Sequence, residues 1–221
     1  MKKPVVVGIA GPSCSGKTTV SEVLAKTIGA KVFHFDDYFC DEVPRAIVNG
    51  HESFERPELY DGVRMAADIV RHISEHPHTP VVAEGFMLFR YPELYEVCDA
   101  RIFMHLDTET IMERRKARAL ERGYDALAGK QAKFERSFIA NGIEEWNRFG
   151  LKQCFLPGVF FLSGMASPRD IVWKTCQLSP ISTVMKEINE CQPCRQDETA
   201  NKANDAANDG AEPALPLQFR A

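Results

Sequence analysis

Five short apolar runs alternate along the chain with stretches whose apolar residues recur every three or four positions. Residues 5–9 are a β-branched run bounded by Pro4 and Gly11, a pattern that predicts a buried strand. Val20, Val23, Leu24 and Ile28 fall on one helical face, so a helix is predicted over 18–28, with Gly29 as its stop. A second strand is predicted over 31–35, running into Asp36 and Asp37. Leu59, Val63, Ala66, Val70 and Ile73 predict a helix over 57–76, with Pro57 in its first turn. Strands follow at 80–83, ending at Glu84-Gly85, and at 100–106. Asp107 or Thr108 is placed to cap a helix running to about Arg122. Residues 126–149 read as mostly helical with a break near Asn141-Gly142. A fifth strand is expected over 159–162, and a last helix from Pro168 to about Asn189, interrupted near Ser179-Pro180.

Strands that alternate with helices imply parallel pairing and right-handed crossovers. The expected architecture is therefore a three-layer α/β sandwich around a five-stranded parallel sheet. A length of 221 residues suits one domain with a lid, and 44% apolar residues suffice for a sizeable core. The domain is read as 1–189, with the lid at about 108–149. Residues 190–221 are rich in Asn, Asp, Ala and Pro, lack apolar periodicity and read as a disordered tail. Cys191 and Cys194 form a lone C-x-x-C there, and one pair does not complete a tetrahedral zinc site.

The net charge of -4 speaks against bulk nucleic-acid binding. No apolar stretch is long enough to span a bilayer, so no membrane partner is expected. The opening MKKPVVVGIAGPSCSGK is not read as a signal peptide, because its apolar run is short and is broken by glycine and lysine. Seven cysteines without a regular framework indicate reduced thiols, hence a cytoplasmic or nuclear setting. The helix surfaces carry no distinctive stripe that would set an oligomeric state.

Gly11-Pro12-Ser13-Cys14-Ser15-Gly16-Lys17-Thr18 matches G-x-x-x-x-G-K-[ST], between a predicted strand and a predicted helix. Glycines let the backbone turn so that several N–H groups face one concavity, and the helix adds the positive end of its dipole. Lys17 is placed to reach β- and γ-phosphates, the Thr18 hydroxyl to ligate Mg²⁺, and Thr19 to complete the nucleotide contacts. This is a P-loop. Cys14 lies inside it as a small residue that fits the turn.

Ligands of open α/β sheets bind beyond the carboxyl ends of the strands. Asp36, Asp37, Glu84 and Asp107 stand at such ends. Phosphoryl transfer to an alcohol needs a group that takes the hydroxyl proton and support for Mg²⁺. Asp36 is the first candidate for the base and Glu84 for the metal, and the two roles are exchangeable. Asp107 reads as a helix cap. Arg114, Arg118 and Arg122 share one helical face with Arg115 beside them, and guanidinium forks suit phosphate oxygens. Such a helix suits a lid that closes over the donor.

The stretches GIAGPSCSGKTT, HFDDYF, FERPELYD, VVAEGFMLF and RRKAR, in this order, resemble the uridine kinase-like group of P-loop kinases. Within it they are most similar to the nicotinamide riboside kinases, over about residues 4–175. The resemblance implies a P-loop NTPase fold of the nucleoside/nucleotide kinase-like kind with a helical lid, using ATP and Mg²⁺. It implies that Asp36 binds the ribose hydroxyls and acts on the 5′-hydroxyl, with Asp37 beside it. It also implies that Glu84 serves the metal or the proton transfer, that Phe39 and Phe54 flank the base, and that Glu55 contacts the sugar or a polar group of the base. Arg118 would reach sugar or phosphates from the lid, and Arg114 the ATP. The chain departs from the riboside kinases after the lid arginines. They carry a Pro-rich aromatic stretch there, whereas this chain has LERGYDALAGKQAKFERSF, with Tyr124 in place of one aromatic.

The expected reaction is transfer of the ATP γ-phosphoryl to the 5′-hydroxyl of a riboside. Nicotinamide riboside is the first acceptor and uridine or cytidine the second, with pantothenate or glycerate as other small alcohols of the same class. A different class is a nucleotide-dependent switch without transferase activity, but the Asn-Lys-x-Asp run of guanine-selective switches is missing. A chain cut after Asn189 is expected to keep its full kcat; a large loss in the truncated protein would give the tail a part in closing the site.

Overall fold

The structure, a computed structural model, describes residues 3–123, 130–179 and 181–190. Expectations for Tyr124, Pro180, Cys191, Cys194 and the rest of the tail lie outside these residues. The strands are β1 (Val6–Ala10), β2 (Lys31–His34), β3 (Ile47–Val48), β4 (His51–Glu52), β5 (Val81–Gly85), β6 (Ala100–His105) and β7 (Val159–Ser163). The helices are α1 (Lys17–Ile28), α2 (Gly62–Glu75), α3 (Pro92–Val97), α4 (Thr108–Glu121), α5 (Lys130–Ser137), α6 (Ile143–Glu145), α7 (Pro168–Cys176) and α8 (Ile181–Glu190).

The main sheet has five parallel strands in the order β2-β5-β1-β6-β7, as the strand–helix alternation predicts. Strand β1 is central and wholly buried, so its alternate residues serve two cores. Val7 and Ile9 pack with Val20, Leu24 and Ile28 of α1 and with Ile171 and Val172 of α7. Val6 and Ala10 face the other way, onto Phe35, Met65, Ile69 and Trp146. Each fully buried aliphatic side chain contributes about 1.5–3 kcal/mol, which makes this double-faced strand the anchor of the domain.

Some boundaries differ from the periodicity. Pro57 opens a short 3-10 turn, Pro57–Leu59, and α2 begins only at Gly62, because the Asp61 carboxylate caps it by accepting from the Arg64 amide at 2.8 Å. The buried stripe of α2 is Met65, Ala66 and Ile69. Val63 and Val70 are exposed; Val70 follows Ile69 by one residue, about 100° round the helix. The break expected at Asn141-Gly142 is a π-helical turn, Phe138–Gly142, and a second one follows at Trp146–Gly150. The last predicted helix is interrupted where expected, with α7 ending at Cys176 and α8 starting at Ile181. The hairpin β3-β4 has no counterpart in the sequence reading; two residues per strand are too few to show alternation. Among the described residues, no helix is long and apolar enough to cross a membrane, and Cys14, Cys40, Cys98, Cys154 and Cys176 are free thiols.

Parallel register places the chemistry on one edge. Ile9 pairs with Glu84, Ala10 with Gly85, and His34 with Glu84. The loop after β1, the acid of β5 and the acids after β2 therefore leave the sheet side by side. Gly85 is required there: a Cβ on it would overlap the Phe35 side chain. Gly85→Ala is expected to destabilise the domain by about 1–3 kcal/mol through overpacking, read as a lower urea midpoint; an unshifted midpoint would show that Phe35 yields freely.

Candidate active site

Residues 11–16 join β1 to α1. Gly11 has φ 150° and approaches the Met104 carbonyl so closely that a side chain would collide with it. Cys14 and Gly16 adopt left-handed conformations, with φ 62° and 90°. Left-handed residues within a turn aim successive amides into one hollow. Gly16 occupies the N-cap of α1 and offers no capping side chain, and no acid stands in the first turn. The helix therefore presents its orphan N–H groups and its dipole to whatever enters the loop. Lys17 Nζ rests on the Pro12 carbonyl at 2.9 Å. Burial lowers the pKa of Lys17, while the charges of Glu84 and Asp36 oppose that shift.

The acids converge on this loop. Glu84 is buried, accepts from the Thr18 hydroxyl at 3.2 Å, and lies 2.9 Å from His34 Nδ1. Thr18 Oγ1 and Glu84 Oε1 are hard oxygen donors beside the amide hollow. They fit Mg²⁺, which takes one or two protein oxygens and completes its shell from phosphates and water. Asp36 follows β2 in the 3-10 turn Phe35–Tyr38 and reaches solvent inside the walls of the cleft. Lost hydration there, and then the charge of Glu84, raise its pKa.

Arginines close the opposite wall. Arg114 donates to the carbonyls of Cys14 and Gly164, both at 3.2 Å. Arg115 is buried, pairs through Nε with Glu135 at 2.7 Å and donates from Nη1 to Ser13 Oγ at 2.5 Å. Arg118 reaches the same hydroxyl at 3.4 Å. Asp107 caps this helix, α4, as expected, accepting from the Thr110 amide at 2.8 Å.

The far end of the cleft is aromatic. Phe39 and Phe54 are stacked at 24° with ring centres 6.3 Å apart, and Tyr60 meets Phe39 edge-on at 5.2 Å. Phe54 and Glu55 are buried, although both line the cleft. Burial pushes the Glu55 carboxyl up to about 7; Asp36 and Glu145 add to the shift, while Arg115 opposes it. Glu145 is held by Ser53 Oγ at 2.5 Å and Arg56 Nε at 3.3 Å.

One cleft of about 990 Å³ gathers Ser13, Cys14, Gly16, Lys17, Thr18, Thr19, Asp36, Phe39, Phe54, Glu55, Glu84, Arg114 and Arg118. Gly11, Pro12 and Ser15 shape the loop without lining the cleft, and Asp37 turns outward to solvent. The loop 163–167 meets Arg114 through the Gly164 carbonyl and Met165 Sδ. Four participants escaped the sequence reading: His34, Tyr60, Phe86 and Glu135. Each belongs to the site through a tertiary contact, although His34, Tyr60 and Phe86 stand inside the HFDDYF, FERPELYD and VVAEGFMLF motifs. Arg115 was set beside the lid face, yet it is the arginine buried against the loop.

The sheet, loop and cleft define a P-loop nucleotide-binding domain. Residues 7–130 match the AAA_18 family, described as an AAA domain, and the chain belongs to that family. It is 25% identical over 167 residues to nicotinamide riboside kinase of Schizosaccharomyces pombe, covering 58% of this chain and 71% of that protein. It is 23% identical over 150 residues to uridine kinase-like protein 4 of Arabidopsis thaliana, covering 56% of this chain. The aligned part is 32% of the plant protein, so the chain spans about a third of that relative. A sugar kinase from Janibacter sp. HTCC2649, solved unliganded, shares the fold with a TM-score of 0.50 at 16% identity, over 82% of this chain and 98% of that one. The resemblance to uridine kinase-like P-loop proteins is thus borne out by relatives of those names.

Glu55 makes stability depend on pH. Its folded pKa of about 7 lies above the ordinary 4.5, so between those values the unfolded chain loses a proton that the folded chain keeps. Stability falls as pH rises through that window. Glu55→Gln is expected to be more stable than the parent at pH 8 by about 3 kcal/mol, with the gain gone near pH 4.5. A pH-independent difference in Tm would place the carboxyl in water.

Proposed function

We propose that this chain is an ATP- and Mg²⁺-dependent kinase that phosphorylates the 5′-hydroxyl of a riboside. The observation that carries this reading is that one cleft holds both an uncapped P-loop helix and, past the acids at its centre, a pair of stacked aromatic rings. The loop amides and Lys17 hold the β- and γ-phosphates. Thr18 and Glu84 hold Mg²⁺, whose charge neutralises phosphate oxygens. Asp36 orients the acceptor hydroxyl and takes its proton as the oxygen bonds to the γ-phosphorus and the bond to the ADP oxygen breaks. A carboxylate of raised pKa is the better proton acceptor for this step.

Phe39 and Phe54 hold the base and Glu55 a polar group of the acceptor. The lid lies within about residues 108–149; Arg114 and Arg118 neutralise charge over the transferring group, and Arg115 holds the phosphate loop through Ser13. The relatives named above support the kinase reading, as does the order of the motifs. By resemblance nicotinamide riboside is the first acceptor and uridine or cytidine the second; the Arg45 guanidinium beside the aromatic pair favours the second. The thiols support a cytoplasmic or nuclear setting.

ADP release should depend on an acceptor when nicotinamide riboside, uridine, cytidine and pantothenate are screened with ATP and Mg²⁺. Turnover indifferent to acceptor would favour a nucleotide switch instead. Lys17→Ala and Asp36→Ala are each expected to lower kcat by at least about 100-fold. Near-parental turnover in Asp36→Ala would remove that residue as the base.

A further inference from the structure

The aromatic pair has a cation beside it. The Arg45 guanidinium carbon lies 4.9 Å from the Phe54 ring centre and 5.3 Å from that of Phe39. It comes from the irregular stretch 41–46, between the acids after β2 and the hairpin β3-β4. An ion pair to Asp41 at 2.6 Å fixes it there. The two partners are unequally wetted, with 18% of the Arg45 side chain exposed against 58% for Asp41. Water therefore screens the carboxylate more than the guanidinium, and the pair leaves net positive charge at the rings. Arg45 Nε is buried without a hydrogen-bond partner in the protein.

Aromatic faces attract a cation through their quadrupole. Here the protein's own guanidinium already uses that attraction. A second cation against these rings would face Arg45 at close range in a partly desolvated pocket. An uncharged base bearing a carbonyl oxygen meets no such repulsion, and a small shift of Arg45 would give its unpartnered Nε an acceptor. Glu55, the neighbour of Phe54, offsets little of this charge, because near neutral pH its carboxyl is ionised only in part.

We propose that Arg45 is a specificity-determining residue that filters acceptors by charge, admitting ribosides with an uncharged base and rejecting those with a cationic ring. The inference rests on the riboside-kinase reading of the cleft and narrows its substrate class.

The test compares near-isosteric ligands that differ in charge. Nicotinamide riboside has a cationic ring, and its reduced form has nearly the same shape and no ring charge; uridine is the uncharged carbonyl-bearing reference. Binding is measured by calorimetry in the presence of a non-hydrolysable ATP analogue. The full chain is expected to bind uridine and the reduced riboside about tenfold more tightly than nicotinamide riboside. Arg45→Gln is expected to reduce that gap about tenfold, and Arg45→Lys to preserve it. Thermal melts establish that both variants fold. Tighter binding of the cationic riboside by the parent chain, a gap unchanged in Arg45→Gln, or no riboside binding at all would overturn the proposal. Turnover without charge discrimination would sink this inference and leave the kinase reading standing. Discrimination in binding without phosphoryl transfer would do the reverse.

Discussion

The N-terminus of α1 is the constraint around which the site is arranged. A helix start leaves N–H groups that a side-chain cap normally satisfies. Here glycine stands at the cap, and the first turn holds no acid. The sheet fixes this exposed positive end at its centre, because α1 follows β1, and β1 is flanked by β5 and β6. An anion is the natural partner of such an end. The left-handed turns at Cys14 and Gly16, the buried lysine and the arginines of α4 extend the same demand for negative charge.

Charge is balanced by geometry. Carboxylates gather where β2 and β5 end, and guanidiniums face them from α4. Burial, with the neighbouring acids adding to it, raises the pKa of Asp36 and pushes Glu55 up to about 7. Arg115 is different in kind: a buried arginine costs desolvation, which its pairing with Glu135, its bond to Ser13 and its stacking over Phe138 at 4.0 Å offset. That set of contacts ties the phosphate loop to α5.

Polar contacts also join the aromatic end of the cleft to the helical segment after α5. Asn49 Nδ2 donates to Asn141 Oδ1 at 2.7 Å, Asn141 Nδ2 donates to the Val48 carbonyl at 2.8 Å, and Ser53 and Arg56 meet Glu145. The hairpin β3-β4 is too small to be stable alone. Its position, and with it that of Phe54 and Glu55, is set by these side chains and by the π-helical turns that aim Asn141.

The sequence by itself determined the order of strands and helices, the phosphate loop, and which acids follow which strands. Those features follow from local rules: apolar period, glycine at tight turns, and the spacing of G-x-x-x-x-G-K-T. The start of α2 and its buried stripe were misread because a cap at Asp61 and a short 3-10 turn outweighed the proline signal. Only the tertiary structure decided that Glu84 lies against Thr18 and His34, that Asp37 faces away, and that Arg115 is the arginine against the loop. It also decided that Arg45 stands over the aromatic pair. Strand register and side-chain burial set these placements between segments far apart in the chain, and no periodicity encodes them.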